Sequence, residues 1–414
     1  MPSKEAKLTA EQMRRYWAGR QGISQPVAGG VANVVRKSGW IYSAGSTLPY
    51  LALRARLPGV NRAALDSAIF EEEDLVEIPT VRGCTMLVPA EDVALALAGG
   101  RRFVSQHEDK IRAACNIKDR EIHDLRAAAT TLLKAGPLSM EMLRGQLPMK
   151  LVRDLGASGK SLGERSTLTF VMRLLQREMV VQRVAADRRL DSESYAYRLP
   201  GPKFRKDLSP EEADCGLAHR FFKWASPATL KEFAWWAGMS QREARQIIGA
   251  IGMVRVSVDG WVNEAWIPAE TMDQLNASIE KSGADQLAFL PFRDNYLYFR
   301  RGLGVFLASE DRTVEVLDWM RRPAALGDLD SLHHNSIILG GRLVGFWEYD
   351  PEDGRIVSRI CSRVSAGVRR GISSKIADLQ DFIQSQLGDA AFYSFDRGKN
   401  RRHRIDSLRV QEIG

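Results

Sequence analysis

The chain has 414 residues, 44% hydrophobic and 27% charged, ordinary values for a soluble globular protein with room for two to four hydrophobic cores. Its formal charge of +8 fits a polyanionic partner, because net charge governs association rather than fold. No stretch has the apolar length of a membrane span, the charged start at residues 1–7 is not a signal peptide, and Cys84, Cys115, Cys215 and Cys361 are too scattered for zinc or a disulfide framework. We therefore expect a cytoplasmic monomer with no metal, no cofactor and no membrane contact.

Residues 9–22 form an amphipathic helix announced by the capping signal Thr9-Ala10-Glu11-Gln12. Residues 24–47 are rich in Gly and Ser and read as a connection, after which 48–57 return to helix and stop at Pro58-Gly59. Asn61 caps a helix to Phe70, and strands 75–80 and 84–88 pair across Arg82-Gly83. Helices near 90–98, 101–115 and 120–135 follow.

The same helical pattern then returns more clearly. Gly136-Pro137-Leu138-Ser139 opens a helix over 140–147, a Gly- and Ser-containing connection covers 156–163, and a second helix runs over 164–178. Leu168, Val171, Met172 and Leu175 share one face of that helix, and Arg165, Thr169, Arg173, Gln176 and Arg177 lie on the other. Residues 179–184 and 195–199 read as its hairpin. Gly201-Pro202-Lys203-Phe204-Arg205 is the best linker, and Ser209-Pro210-Glu211-Glu212 starts the next helix.

The clearest copy begins at Ser226, read as an N-cap before Pro227, and its first helix stops at Gly238. Ser240-Gln241-Arg242-Glu243 is a capping box for a second helix with Ala244, Ile247, Ile248 and Ile251 inside and Gln241, Arg242, Arg245 and Gln246 outside. Alternation from 254 to 266, broken at Asp259-Gly260, is a hairpin. Two helices with a trailing hairpin make a winged helix, which presents one helix and the wing to a duplex. Irregular spacing of the copies indicates tandem domains rather than a solenoid.

Beyond Asp285 short apolar runs at 287–291, 296–299, 305–307, 336–339, 343–349 and 356–360 suggest a compact β domain, closed by a helix over 373–387. Arg397, Lys399, Arg401, Arg402 and Arg404 form the densest basic run, for which a solvated face and a nucleic-acid contact are equally good readings. Gly156-Ala157-Ser158-Gly159-Lys160-Ser161 lacks the spacing and preceding strand of a phosphate loop, and His333-His334 has no further His or Cys nearby to complete a metal site.

Several stretches together resemble the bacterial winged-helix DNA glycosylases of the AlkZ and YcaQ type. They are Leu51-Ala52-Leu53-Arg54-Ala55-Arg56-Leu57-Pro58-Gly59, Arg82-Gly83 through Leu87-Val88-Pro89-Ala90-Glu91-Asp92, and Pro227-Ala228-Thr229 through Phe233-Ala234-Trp235-Trp236. Leu290-Pro291 with Asp294-Asn295-Tyr296-Leu297, and Gly341-Arg342-Leu343-Val344-Gly345 with Trp347, complete them in order along nearly the whole chain. The resemblance implies an α+β protein of three tandem winged-helix domains, at 1–134, 135–203 and 204–284, followed by a small C-terminal β-barrel-like domain at 285–414.

It also implies a partner, double-stranded DNA carrying alkylated or crosslinked purines, and a cofactor-free hydrolysis of the N-glycosidic bond. DNA contacts are expected from Arg165, Thr169, Arg173, Arg177, Gln241, Arg242 and Arg245, with Val258, Asp259 and Gly260 as the wing that such proteins place in the minor groove. The family's water is held by a Gln-x-Gln or Gln-x-Asp pair about a dozen residues before the Leu-Arg-Ala-Arg stretch, and counting back lands on Tyr42-Ser43-Ala44. Ala44 cannot hold or polarise water and Tyr42 is a poor base at neutral pH, which leaves Gln21, Gln25 or Ser46 as substitutes. An alternative reading is a DNA-binding regulator with no chemistry of its own.

Overall fold

Thr9 accepts a hydrogen bond from the Gln12 amide while the Gln12 side chain accepts one from the Thr9 amide, so α1 (Ala10–Arg20) starts where its capping signal lies, just after β1 (Lys7–Leu8). The computed structural model describes residues 7–44, 46–201, 204, 208–261, 264–279, 285–318, 320–331, 333–392, 395–396 and 398–409. The stretch expected as a connection holds α2 (Val31–Ser38) and β2 (Ile41–Tyr42). Glycines at 29, 30 and 39 disguise that short helix, yet Val31, Val34, Val35 and Ser38 fall on one buried face. Helices α3 (Leu48–Arg56) and α4 (Arg62–Phe70) follow, the latter with Asn61 Oδ1 accepting from the Ala64 amide at 2.9 Å.

The strands β3 (Leu75–Pro79) and β4 (Thr85–Pro89) form the expected hairpin, whose turn holds Arg82 at a φ of 60°. One helix, α5 (Val93–Cys115), replaces the two expected on either side of Gly99-Gly100. A Cβ on Gly99 would sit 2.6 Å from Val81 Cγ1, and one on Gly100 would sit 3.1 Å from the Thr80 carbonyl oxygen. These glycines bring the helix onto the hairpin turn instead of ending it.

The next elements are α6 (Asp119–Leu133), β5 (Leu138–Ser139), α7 (Met140–Gln146), α8 (Gly156–Ser161), α9 (Thr167–Arg177), β6 (Gln182–Ala185) and β7 (Tyr195–Arg198). The expected connection at 156–163 is thus largely helical. Helix α9 begins later than 164 because Ser166 caps it, exchanging side-chain and backbone hydrogen bonds with Thr169. Of the linker, residues 202, 203 and 205 lie outside the described residues.

Helix α10 (Pro210–Ala225) opens with the expected Ser209 and Glu212 reciprocal cap. After β8 (Ala228–Thr229) comes α11 (Leu230–Ala237), whose N-cap is Thr229 rather than Ser226. Glu232 stands three residues past Thr229, so both halves of the capping box close there, and the residues before it pair with a strand. Helix α12 (Gln241–Ala250), β9 (Met253–Val258) and β10 (Ala265–Pro268) match expectation, and α13 (Met272–Ile279) follows.

The last region begins with β11 (Leu287–Leu290) and α14 (Asn295–Tyr298), the latter in place of the expected extended run because Asp294 caps it by accepting from the Tyr296 amide. A single 3-10 turn over Leu303–Phe306 likewise replaces the run at 305–307. Then come the hairpin β12 (Glu315–Leu317) and β13 (Pro323–Ala325), followed by β14 (Asn335–Leu339), β15 (Arg342–Asp350), β16 (Arg355–Ile360), α15 (Ala366–Phe382) and α16 (Asn400–Arg409). The four-stranded sheet runs β11-β14-β15-β16, all antiparallel, with its first and last strands at opposite edges. Among the described residues this is an open sheet, not a closed barrel.

The order helix, strand, helix, helix, strand, strand therefore occurs three times, from α2 to β4, from α6 to β7 with α8 added, and from α10 to β10. In the second, the sheet order is β5-β7-β6; in the third it is β8-β10-β9, extended by β1 parallel to β9. By contacts the chain forms two units, residues 1–68 with 218–414, and residues 69–217. The first unit packs Trp17, Ile267, Leu290, Tyr296, Phe306 and Phe346 into one core, and the second packs Ile111, Leu125, Leu143, Phe170, Met172 and Leu175. Each such side chain contributes about 1.5–3 kcal/mol on full burial. No described helix is long and apolar enough to cross a membrane.

Candidate active site and nucleic-acid interface

Strand β2 delivers Tyr42 half-buried to a small pocket it shares with Ile41, Leu48, Ala52, Phe292 and Arg293. Ser43 is fully buried, and its carbonyl accepts a hydrogen bond from the Ser46 hydroxyl at 2.5 Å. Ala44 follows at a φ of 52° and packs with Tyr42 against the apolar cluster of Leu48, Phe292 and Phe392. A methyl group at this position offers water no hydrogen bond.

The floor of the pocket is an ion pair. Arg56 donates to both oxygens of Asp294 at 2.6 and 2.7 Å, each side chain about 1% exposed, and it also donates to the carbonyls of Gln21 and Ala52. Asn295 donates its amide to the carbonyls of Ser38 and Trp40. This array locks α14 onto the segment before Tyr42, and with both oxygens engaged Asp294 is a structural carboxylate rather than a base. Tyr296 is likewise structural, donating its buried hydroxyl to the Gly341 carbonyl at 2.7 Å, and burial pushes its phenol well above the usual range.

Gln21, Gln25 and Ser46, the other polar residues that the sequence offered, lie elsewhere. Gln21 is buried and donates to the Trp224 carbonyl at 2.8 Å, its Oε1 having no hydrogen-bond partner among the described residues; Gln25 is exposed; Ser46 is bonded to Ser43. None of the three lines the pocket around Tyr42.

A second polar surface lies on the third helix and hairpin set. Helix α12 buries Ala244 and Ile248 and exposes Gln241, Arg242 and Arg245, as its periodicity requires. Between α12 and the hairpin runs a groove lined by Lys231, Gln241, Arg245, Arg255 and Trp266. Arg255 lies over the Trp266 ring at 5.1 Å and pairs with Glu264 at 2.9 Å. Asp259 and Gly260 sit exposed at the hairpin tip, but Val258 does not. Its side chain is in the core and its strand partner is Leu8, because period-2 alternation from buried Val256 turns Val258 to the same inner face. Val258 is thus corrected from a wing contact to a core residue.

On α9 the basic residues are placed differently. Arg165 is exposed ahead of the helix, and Thr169 has its hydroxyl engaged in the cap with Ser166. Arg173 pairs with buried Glu164 at 2.5 Å, and Arg177 pairs with buried Glu108. Burial pushes the Glu108 carboxyl above its usual range, against the opposing pull of Arg177.

Three arginines of the C-terminal basic run are also internally paired. Arg401 binds Asp389, Arg402 binds Glu352 and Asp406, and Arg404 binds Glu348 and Asp396; Arg397 lies outside the described residues. His334 has Nδ1 3.1 Å from Glu348, while His333 stacks on Phe395 and is pushed down to about 4 by burial. Among the described residues no group of three metal-ligating side chains occurs. The sequence did not single out Arg293, Lys231, Arg255 or Trp266, although Arg293 stands inside the stretch between Pro291 and Asp294.

The model of the AlkZ-like DNA glycosylase family matches residues 45–382, beginning one position past Ala44. Among solved structures, Streptomyces sahachiroi DNA glycosylase AlkZ is similar with a TM-score of 0.68 at 17% identity, over 93% of this chain and 98% of that chain. At that identity the likeness is one of fold. No curated protein sequence matches.

Proposed function

From a chain that belongs to the AlkZ-like DNA glycosylase family, we propose a protein that binds duplex DNA through three winged helices and recognises alkylated or crosslinked purines. The observation that carries this reading is the groove between α12 and its hairpin, where Lys231, Arg245 and Arg255 line one surface and offer cations to a phosphate backbone. The threefold order of helices and strands supports a tandem array. The protein either binds the lesion without excision or excises it with a water-holding group other than a glutamine pair, a reading that rests on counting back from the Leu-Arg-Ala-Arg stretch to Tyr42-Ser43-Ala44.

The chemistry asks little of the protein. Water oxygen bonds to C1′, the N-glycosidic bond breaks with its electron pair on the purine, which becomes neutral, and the water proton passes to solvent or a nearby acceptor. An alkylated purine is already a cationic leaving group, so orientation of water supplies most of what is needed.

The test is incubation with duplex carrying one bulky N7-alkylguanine, followed by detection of abasic product and measurement of binding. Preferential binding to that duplex over its unmodified counterpart is the expected result, with product, if formed, reduced by Tyr42→Phe. Equal binding to both duplexes would favour a sequence-reading regulator, and no binding to either would remove the DNA assignment.

A further inference from the structure

Arg293 is held in an unusual way. Its guanidinium carbon lies 4.8 Å from the Tyr42 ring centre, 5.2 Å from that of Phe292 and 6.0 Å from that of Tyr298. Among the described residues no hydrogen bond or ion pair holds it. The adjacent carboxylate, Asp294, is already engaged on both oxygens by Arg56. Most other arginines of the chain that touch an aromatic ring also have a polar anchor: Arg255 has Glu264, Arg404 has Glu348 and Asp396, Arg300 has Glu232.

The rings are fixed from behind. Tyr42 packs on Phe392 at 5.7 Å, Phe292 stacks on Phe395 at 4.7 Å, and Tyr298 meets Trp235 edge-on at 5.1 Å. The Phe292 amide donates to Asn335 Oδ1 at 2.7 Å, which sets the turn. Arg293 itself sits at a φ of 57°, a left-handed backbone that a side chain with a Cβ disfavours. Three buttressed electron-rich faces around one cation, with no carboxylate to anchor that cation, are the elements of an aromatic cage.

We propose that Tyr42, Phe292 and Tyr298 form a cation-selective cage for an N-alkylated, positively charged purine, and that Arg293 occupies it until such a base displaces it. This rests on the reading that the segment around Tyr42 handles a damaged base, and it assigns the selection for charge to rings rather than to a carboxylate. A neutral guanine gains little from the ring faces and does not displace the guanidinium; a planar cationic purine, which both stacks on the rings and carries the charge, gains more than the arginine loses. Arg293 is therefore a placeholder that competes for the cage, and the rings carry the selectivity.

Two measurements on the full chain test this. In the first, affinities are compared for a duplex carrying one 2′-fluoro-N7-methyldeoxyguanosine, which resists loss of its base, and for the same duplex with guanine. Arg293→Gly, which also relieves the left-handed backbone, raises the preference for the cationic duplex about five-fold, Arg293→Lys leaves it near wild type, and Tyr298→Leu lowers it about five-fold. In the second, intrinsic fluorescence is titrated with 7-methylguanosine and with guanosine in mildly acidic buffer, where the methylated purine is cationic. Arg293→Gly binds 7-methylguanosine more tightly than guanosine, and Tyr298→Leu abolishes the difference.

Duplex binding with an unchanged preference in Arg293→Gly overturns the cage and leaves the DNA reading standing. Equal loss of both duplexes in that variant identifies Arg293 as a phosphate contact and also overturns it. Selective nucleoside binding without duplex binding supports the cage and removes the DNA reading.

Discussion

Helices α9 and α12 have the same plan, an apolar stripe opposite a basic one, and the structure uses them differently. On α12, Arg242 and Arg245 are exposed, and among the described residues no ion pair engages either. On α9, Arg173 and Arg177 face Glu164 and Glu108, which are 2% and 7% exposed. A basic stripe is thus a free cationic surface only where no buried carboxylate from another segment meets it. The difference lies in tertiary pairing and is invisible in helical periodicity.

The largest expected effect breaks that pairing. Arg177→Ala leaves the Glu108 carboxylate buried without its partner and lowers stability by about 2 kcal/mol, read by urea unfolding near neutral pH. The pH dependence has a definite sign. Burial raises the Glu108 carboxyl in the folded state, so between the ordinary carboxylate range and that raised value the folded protein binds more protons than the unfolded one. Stability from this group falls as pH rises through the window. Glu108→Gln should flatten that slope, and Arg177→Ala should extend it to higher pH. A slope identical in wild type and Glu108→Gln would remove Glu108 as its source.

Duplex binding should separate the two helices next. Arg245→Ala weakens binding about five-fold at low salt and reduces the slope of log affinity against log salt by about 0.9, the signature of one lost phosphate contact. Arg173→Ala changes that slope much less, because its guanidinium is already committed to Glu164. Anisotropy titrations at four salt concentrations measure both. Equal slopes for the two variants would mean that the ion pair on α9 opens on DNA and that the contrast between the helices is a feature of the free protein only.

What the sequence revealed and what it concealed follow the same division between local and distant interactions. The caps at Thr9, Ser209 and Ser240 are legible because donor and acceptor lie three residues apart. The hairpins and the α12 faces are legible from period alone. Ser226 misleads because a Ser-Pro pair is itself a helix-start signal, whereas the capping box of Thr229 with Glu232 and the pairing of Ala228–Thr229 with β10 put the start three residues later. Gly99 and Gly100 mislead because their use is a close approach to another segment. Glu108 stands 69 residues from Arg177, and of the rings around Arg293 only Phe292 and Tyr298 are near it in sequence while Tyr42 comes from a distant strand, so neither arrangement as a whole has a local signature.

The smallest effect tests whether exposure alone distinguishes the pairs. Arg255 and Glu264 are 58% and 59% exposed, so their ion pair contributes about 0.2–1 kcal/mol at most and is screened by salt. Glu264→Gln should therefore leave stability nearly unchanged, unlike the loss of Arg177 on α9. It also removes a negative charge from the groove beside α12 and leaves the Arg255 guanidinium, still over Trp266, available to a phosphate. Duplex affinity should rise about two-fold at low salt, and the gain should vanish as the Debye length shrinks to a few ångströms. A fall in affinity would mean that Glu264 positions Arg255 for DNA, and that even this exposed pair works as a fixed structural unit, as those on α9 do.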